Sequence, residues 1–347
     1  MKIAIDISNT SKHKHRGIGI YSEKLISNLK AIKEPDFSIQ LIKEKSNILD
    51  VDLIHYPYFD FFSLTLPIIK KKPSVVTIHD VIPLVFPNSF PIGIRGWLKF
   101  QIQKLSLKTV KAIITDSENS KEDIIKYLNI SKEKIYVVYL APSFEGVKNK
   151  TSLKDKVKKK YKLADKFILY VGDINWNKNI IGLLRAFERI SKNIESLKLV
   201  LVGQAFSGNS SEAKEINNKI RKLNLLEKTL LTGSLSSEEL VSVYQLATIY
   251  CQPSFYEGFG LPVLEAMAVG CPVVCSNKGS LPEVAQEAAI YINPYDIDDM
   301  SKKMEQLVKN EDRRKELIKK GYSRARKFSW EKTTTATLDI YKKVLRS

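Results

Sequence analysis

Twelve short runs of β-forming residues punctuate the chain, six in each half, and each is followed by a helical or polar stretch. KIAID, FSIQLI, DLIHY, SVVTI, AIITD and IYVVY come first; FILYV, LKLVLVG, TLLTG, TIYCQ, CPVVC and AAIYI come second. Such alternation predicts parallel sheets covered on both faces, an α/β architecture of doubly wound type. Between the halves lies FEGVKNKTSLKDKVKKKYKLADK, polar, lysine-rich and poor in strand formers, so the domain junction is expected near residues 142–165. The last stretch, FSWEKTTTATLDIYKKVL, predicts a long helix. Ser329 is its N-cap, and Trp330, Thr334, Leu338 and Tyr341 fall near helical spacing. Open sheets of this kind bind ligands beyond the carboxyl ends of their strands, so two of them facing each other are expected to make a cleft.

Charge is the next constraint. The 347 residues carry a formal net charge of +18, and residues 1–160 hold 28 Lys and Arg against 16 Asp and Glu. Solvated lysine-rich faces account for this, as does attraction to nucleotide phosphates or lipid headgroups. There is no zinc-finger spacing, no aromatic RNA-binding strand and no long basic helix, so no nucleic-acid partner is expected. No run approaches the ~18 apolar residues of a membrane span, and Asp6 breaks the first strand before a signal-peptide core could form. A cytoplasmic protein is expected. The three cysteines, with no histidine near Cys271 or Cys275, read as buried structural thiols.

The segment FYEGFGLPVLEAMAVGCPVVC, Phe255 to Cys275, carries the clearest chemistry. Pro262 suits a first helical turn, Gly270 ends the helix, and Gly258-Phe259-Gly260 forms the turn into it. Glycines admit a ligand close to the backbone, and a helix N-terminus favours an anion. Glu257 precedes the turn, and Glu265 is expected in the first turn after it. Sugar hydroxyls need acceptors and phosphates need donors, so a nucleotide sugar satisfies both halves of this arrangement. The plainer alternative is an acid that only complements the helix dipole.

The string PSFYEGFGLPVLEAMAVGCPVVCSNKGSLPEV resembles the Glu-x7-Glu segment of the retaining glycosyltransferases of family 4, which have the two-domain GT-B fold. The resemblance continues through LTGSLSSEELVSVYQLATIYCQPS, YVGDINWNKNIIGLLRAFERI and RARKFSWEKTTTATLDIYKKVL. In the first half, RGIGIYSEKLISNL, DLIHYPYF, TIHDVIPLVFP and ITDSENSKEDI resemble a mannosyltransferase-like branch. Nearly the whole chain is covered. The resemblance implies two Rossmann-like domains facing across a cleft: residues 1–160 for the acceptor and 161–328 for the nucleotide sugar. The helix 329–347 is expected to cross back to the first.

It also implies roles. Glu257 would accept hydrogen bonds from donor-sugar hydroxyls, and Glu265 would hold the ribose. Phe259, Gly260 and Leu261 would offer backbone N–H groups, and Leu235 would line the base pocket. Lys178, in NWNKN, would stabilise the charge that grows on the departing diphosphate. The arginine that relatives often carry just upstream is absent; Gly172 and Asp173 stand there. His79 would point at the donor sugar, with a satisfied core histidine as the alternative, and His55 would pack at the cleft floor. Gly17 and Gly19, just after the first strand, would form a glycine loop facing the diphosphate or the acceptor; a plain tight turn is the alternative. The fold implied works without a metal, a lysine and helix dipoles replacing the cation, so neither metal nor cofactor is expected, only the donor, GDP-mannose or a UDP-hexose.

The expected reaction is retaining transfer of a hexose to a glycan or lipid-linked acceptor. A nucleotide-sugar epimerase of the same fold and a silent sugar-nucleotide-binding subunit are the rivals. Residues 94–112 mix Trp97, Leu98, Ile102 and Leu105 with Arg95 and Lys99, and place Lys104, Lys108 and Lys111 at one helical face. They read as a surface for anionic membrane or as an ordinary sheet-covering helix with a wet lysine face.

Overall fold

The structure, a computed structural model, describes residues 1–9, 17–43, 50–144 and 151–346. It forms two compact units, Met1–Ala141 with Phe328–Ser347, and Pro142–Lys327.

In the first unit, β1 (Lys2–Asp6), β2 (Ser38–Ile42), β3 (Leu53–Tyr56), β4 (Ser74–Thr77), β5 (Ala112–Thr115) and β6 (Ile135–Val137) pair in parallel in the order β2-β1-β3-β4-β5-β6. β3, β4 and β5 are buried along their whole length, which is why they read as unbroken apolar runs, whereas the edge strand β2 mixes exposed and covered positions. The C-terminal helix Trp330–Arg346 belongs to this unit and packs on the helix Gly17–Lys30. Ser329 Oγ accepts the Lys332 N–H at 3.2 Å, the cap expected from the sequence. Near its far end Tyr341 holds His55: the phenol lies 2.5 Å from Nδ1, and Thr77 Oγ1 lies 2.8 Å from Nε2. Thr77 also bonds the Tyr21 hydroxyl at 3.0 Å. Burial pulls the His55 pKa down to about 3, so this is a neutral core histidine.

In the second unit, β7 (Phe167–Val171), β8 (Lys198–Val202), β9 (Thr229–Thr232), β10 (Ile249–Gln252), β11 (Val273–Ser276) and β12 (Ala289–Ile292) pair in parallel in the order β12-β11-β10-β7-β8-β9. The chain winds outward through β8 and β9, then returns to the other side of β7 with β10. The strand order therefore reverses between β7 and β10, and the crevice beyond their carboxyl ends is where such a sheet takes its ligand.

Two expectations shift. The units divide at Ala141/Pro142, earlier than residue 160, because the lysine-rich helix Thr151–Lys160 packs on the helix Ser237–Leu246 of the second unit. Lys160 Nζ bonds Glu239 Oε1 at 2.6 Å, and the Tyr161 hydroxyl donates to the same oxygen at 3.1 Å. The basic helix runs from Ile94 to Lys108 only. Lys70 Nζ donates to Ser106 O at 2.6 Å and closes that end, so Lys111 lies beyond the helix and does not share a face with Lys104 and Lys108. Among the described residues no helix is long and apolar enough to cross a membrane.

Candidate functional site

Lys178 and Glu257 meet at the reversal point of the second sheet. Lys178 ends a 3-10 turn, Trp176–Lys178, just past β7, and Glu257 lies in the connection after β10. The Lys178 ammonium donates to both carboxylate oxygens of Glu257, each at 2.8 Å. Gln252 Nε2 and Ser254 Oγ donate to Oε1 at 2.8 and 2.7 Å. Three donors thus converge on Oε1, while Oε2 accepts from Lys178 alone among the described residues. The Glu257 side chain is 9% exposed and that of Lys178 21%. A carboxylate bonded in this way keeps its remaining acceptor capacity on one oxygen.

The loops are fixed to one another. Asn177 Nδ2 donates to Tyr256 O at 3.1 Å, and Phe255 N–H donates to Asn177 O at 2.8 Å. Asn179 sits in the left-handed region (φ 54°) and caps the helix Ile180–Asn193 by accepting the Gly182 N–H. Its Nδ2 reaches Pro253 O and Pro294 O at 3.1 and 2.8 Å. From the other side Ser280 donates its N–H and its hydroxyl to Glu257 O, at 3.2 and 3.0 Å. Gly279 precedes it at φ +61°, and a Cβ there would stand 2.7 Å from Glu257 O.

The helix after the glycine turn is Leu261–Ala268, with Pro262 in its first turn. Gly260 is its N-cap at φ +95°, a conformation open to glycine, and its Cβ would strike Leu281 Cδ2 at 2.4 Å. No side chain among the described residues caps this end. Its first turn also lacks an acid: Glu265 lies one turn further in and is buried, so it does not act as a dipole-complementing surface residue. Glu265 Oε1 accepts the Ser143 hydroxyl at 2.5 Å. Burial raises the Glu265 pKa to about 7, against the lowering pull of its Ser143 and Tyr244 hydrogen bonds. Phe259 is buried beside Gly260. Leu235, half-buried, occupies the connection between β9 and the helix Ser237–Leu246, whose Ser236–Glu239 capping box follows it at once.

The remaining candidates belong to the first unit. His79 follows β4, and its Nδ1–H donates to Asp116 Oδ2 at 2.7 Å. Its Nε2–H donates to Pro57 O at 3.3 Å. Both partners are acceptors only, so this arrangement selects the imidazolium. Burial works against that charge, but the Asp116 carboxylate, together with Asp80 and the Pro57 carbonyl, outweighs it and leaves the His79 pKa above the usual value. The Tyr21 ring meets the imidazole edge-on, centroids 4.9 Å apart. Gly17 and Gly19 are placed inside the first turn of the helix Gly17–Lys30, not in a loop; residues 10–16, through which a glycine loop would have to run, lie outside the described residues. Among the described residues no group of three or more His, Cys, Asp or Glu side chains is placed to hold a metal ion.

Sequence reasoning missed Asp116, Gln252, Ser254 and Ser143. Asp116 had a usable signal. β4 and β5 pair with Thr77 opposite Ile114, so His79 and Asp116 leave the sheet side by side.

Residues 152–324 match the family described as glycosyl transferases group 1, and residues 8–141 match glycosyltransferase family 4. The chain is 32% identical over 275 residues to the O-antigen chain mannosyltransferase B of Escherichia coli, covering 79% of this chain and 71% of that protein. It is 28% identical to the serotype-specific mannosyltransferase WbdA of Escherichia coli, covering 83% of this chain but only 36% of that longer protein. Among solved structures, Anabaena HepE in complex with UDP-glucose superposes with a TM-score of 0.79 at 16% identity, over 99% of this chain and 100% of that one.

Proposed function

This chain belongs to the family 4 glycosyltransferases, of GT-B fold, and from that premise we propose that it is a retaining mannosyltransferase acting in polysaccharide synthesis. The donor is a nucleotide sugar, GDP-mannose before UDP-hexoses, and the acceptor a growing glycan or lipid-linked saccharide. The observation that carries this reading is the Lys178–Glu257 pair at the reversal point of the second sheet.

Each side chain has one task. Glu257 accepts hydrogen bonds from donor-sugar hydroxyls, with Oε2 as the oxygen that has capacity for them. Lys178 then turns its charge to the diphosphate, whose negative charge grows as the glycosidic bond breaks, and so stabilises the transition state more than the bound donor. Phe259, Gly260 and Leu261 present the helix N-terminus to the same anion, and Glu265 accepts from the ribose. Leu235 lines the base pocket. His79, held by Asp116, offers an N–H to the donor sugar, and Gly17 and Gly19 let substrate approach the backbone. In this reading the cation is Lys178 and no resident metal is needed.

The first unit also offers an anionic membrane a surface. Ile94, Trp97, Leu98 and Leu105 on the helix Ile94–Lys108 are each more than half exposed, interleaved with Arg95, Lys99, Lys104 and Lys108. Apolar side chains beside cations fit a peripheral position at the cytoplasmic leaflet. Flotation with anionic liposomes tests it: changing Lys99, Lys104 and Lys108 to Glu should release the protein, and unchanged flotation refutes the surface.

The function itself is tested by incubating the protein with a panel of nucleotide sugars, with and without a lipid extract, and measuring released nucleotide. Acceptor-dependent release from GDP-mannose is expected. Release that ignores the acceptor points to an epimerase or a hydrolase, and binding without release points to a silent subunit.

A further inference from the structure

Tyr21 stands two positions after Gly19, one turn into the helix Gly17–Lys30, and only 1% of it reaches solvent. Its ring plane lies at 85° to the His79 imidazole, with centroids 4.9 Å apart. Perpendicular rings at this separation attract, because the positive edge of one meets the negative face of the other. A buried phenol also needs a partner for its hydroxyl, and this one meets Thr77 Oγ1 at 3.0 Å. Thr77 Oγ1 bonds His55 Nε2 at 2.8 Å, and His55 Nδ1 bonds the Tyr341 hydroxyl. A neutral imidazole offers one donor and one acceptor nitrogen, so this chain is satisfied in either direction. No member is more than 1% exposed, and each comes from a different element: the helix Gly17–Lys30, β4, β3 and the C-terminal helix. The Tyr21 ring is thus tethered at its hydroxyl to the core of the first unit.

The hydrogen bonds of His79 hold it unevenly. Its backbone is fixed, with Ser120 Oγ donating to His79 O at 3.2 Å. On the ring, Nδ1 has a short bond to Asp116 Oδ2 at 2.7 Å, whereas the Nε2 bond to Pro57 O is long at 3.3 Å. Nε2–H is therefore the group that exchanges most readily to a substrate oxygen. Once it does, Asp116 is the one hydrogen-bond partner left to the ring among the described residues. The torsion that turns a histidine ring is broad, so one bond at Nδ1 does not set the tilt of the plane. The perpendicular Tyr21 ring packed against it does.

We propose that Tyr21 is a positioning residue for His79: its ring fixes the tilt of the imidazole, and so the direction in which Nε2–H is presented to substrate. This rests on the transferase reading above and deepens it, adding beside Gly17 and Gly19 a residue that acts only through His79.

The test compares Tyr21→Leu and Tyr21→Met, which lack a ring, with Tyr21→Phe, which keeps the ring and loses only its tether. Two ringless variants guard against one that fails to fold, and melting temperature reports the fold. The His79 ring nitrogens are followed by NMR in full-length protein carrying isotope-labelled histidine, and kcat, KM for GDP-mannose and GDP affinity are measured on the same variants. In the ringless variants the His79 Nε2–H should exchange with solvent about tenfold faster and kcat should fall about tenfold, the worth of one ring pair, with GDP affinity unchanged. Tyr21→Phe should melt lower yet keep the His79 signals and most of kcat, a separation that a purely structural role does not produce. Unchanged His79 exchange or unchanged kcat in the ringless variants overturns the inference, as does a matching loss of GDP affinity, or a Tyr21→Phe that loses as much kcat as they do. The NMR measurement needs no turnover, so it decides the inference even where the transferase reading fails, and turnover of GDP-mannose by the unaltered protein decides that reading separately.

Discussion

Asp116 Oδ2 and His79 Nδ1 lie 2.7 Å apart because β4 and β5 pair with Thr77 opposite Ile114, and the residues two positions beyond that pair leave the sheet side by side. Burial opposes charge on the imidazole, and Asp116, Asp80 and the Pro57 carbonyl together more than offset it, so His79 titrates above its usual value. A raised pKa on a base stabilises the fold fully below the unfolded value. That contribution is lost as pH climbs through the folded value. In Asp116→Asn burial is opposed only by Asp80 and the Pro57 carbonyl, and the His79 midpoint in a histidine NMR titration should fall. An unchanged midpoint would show that the carboxylate does not set it.

Glu265 predicts a pH dependence of the opposite sign. Its carboxyl titrates near 7 when folded, and only the ionised form is a pure acceptor for ribose hydroxyls. Nucleotide affinity should therefore strengthen as pH rises toward 7 and weaken by about tenfold per pH unit well below it. Glu265→Gln should bind more weakly at pH 8 and lose most of that slope. A pH-independent affinity in the unaltered protein contradicts the assignment.

Gly279→Ala tests the support of Glu257. The new Cβ would sit 2.7 Å from Glu257 O, and φ +61° disfavours any side chain. A stability loss of roughly 1–3 kcal/mol is expected, with a fall in turnover larger than in donor affinity. Denaturant unfolding alongside initial rates checks both parts.

How much of this was legible beforehand follows from which interactions are local. Strands buried on both faces announce themselves as unbroken apolar runs, so all six strands of each sheet could be placed. The cap at Ser329 and the glycine turn at Gly260 are likewise local. Glu257 stood out beside the glycine turn, but Lys178 was marked only by resemblance to a known motif, and their contact spans 79 positions. Ser143 reaches Glu265 across 122 positions, and no periodicity encodes such a pairing. Lys70 ends the basic helix from 36 positions away, which is why Lys111 was misplaced on its face. The lysine-rich helix Thr151–Lys160 looked like linker because its partner, Glu239, lies 79 positions further on.

Tyr341→Phe tests the seat of the C-terminal helix. The phenol lost is the partner of a fully buried imidazole, whose Nδ1 would be left unsatisfied. A cost of about 1–3 kcal/mol is expected in denaturant unfolding, without loss of the secondary structure. Wild-type stability would show that the hydrogen bond adds nothing to the docking of that helix.

The central claim is that Lys178 and Glu257 act together on one donor. It is tested most directly by the rate of acceptor-dependent nucleotide release from GDP-mannose in Lys178→Ala and Glu257→Gln, with circular dichroism as the control for folding. The account predicts a drop of about 10²–10³-fold in turnover for each variant, and a double variant little worse than either one. Rates close to those of the unaltered protein in both single variants would contradict it.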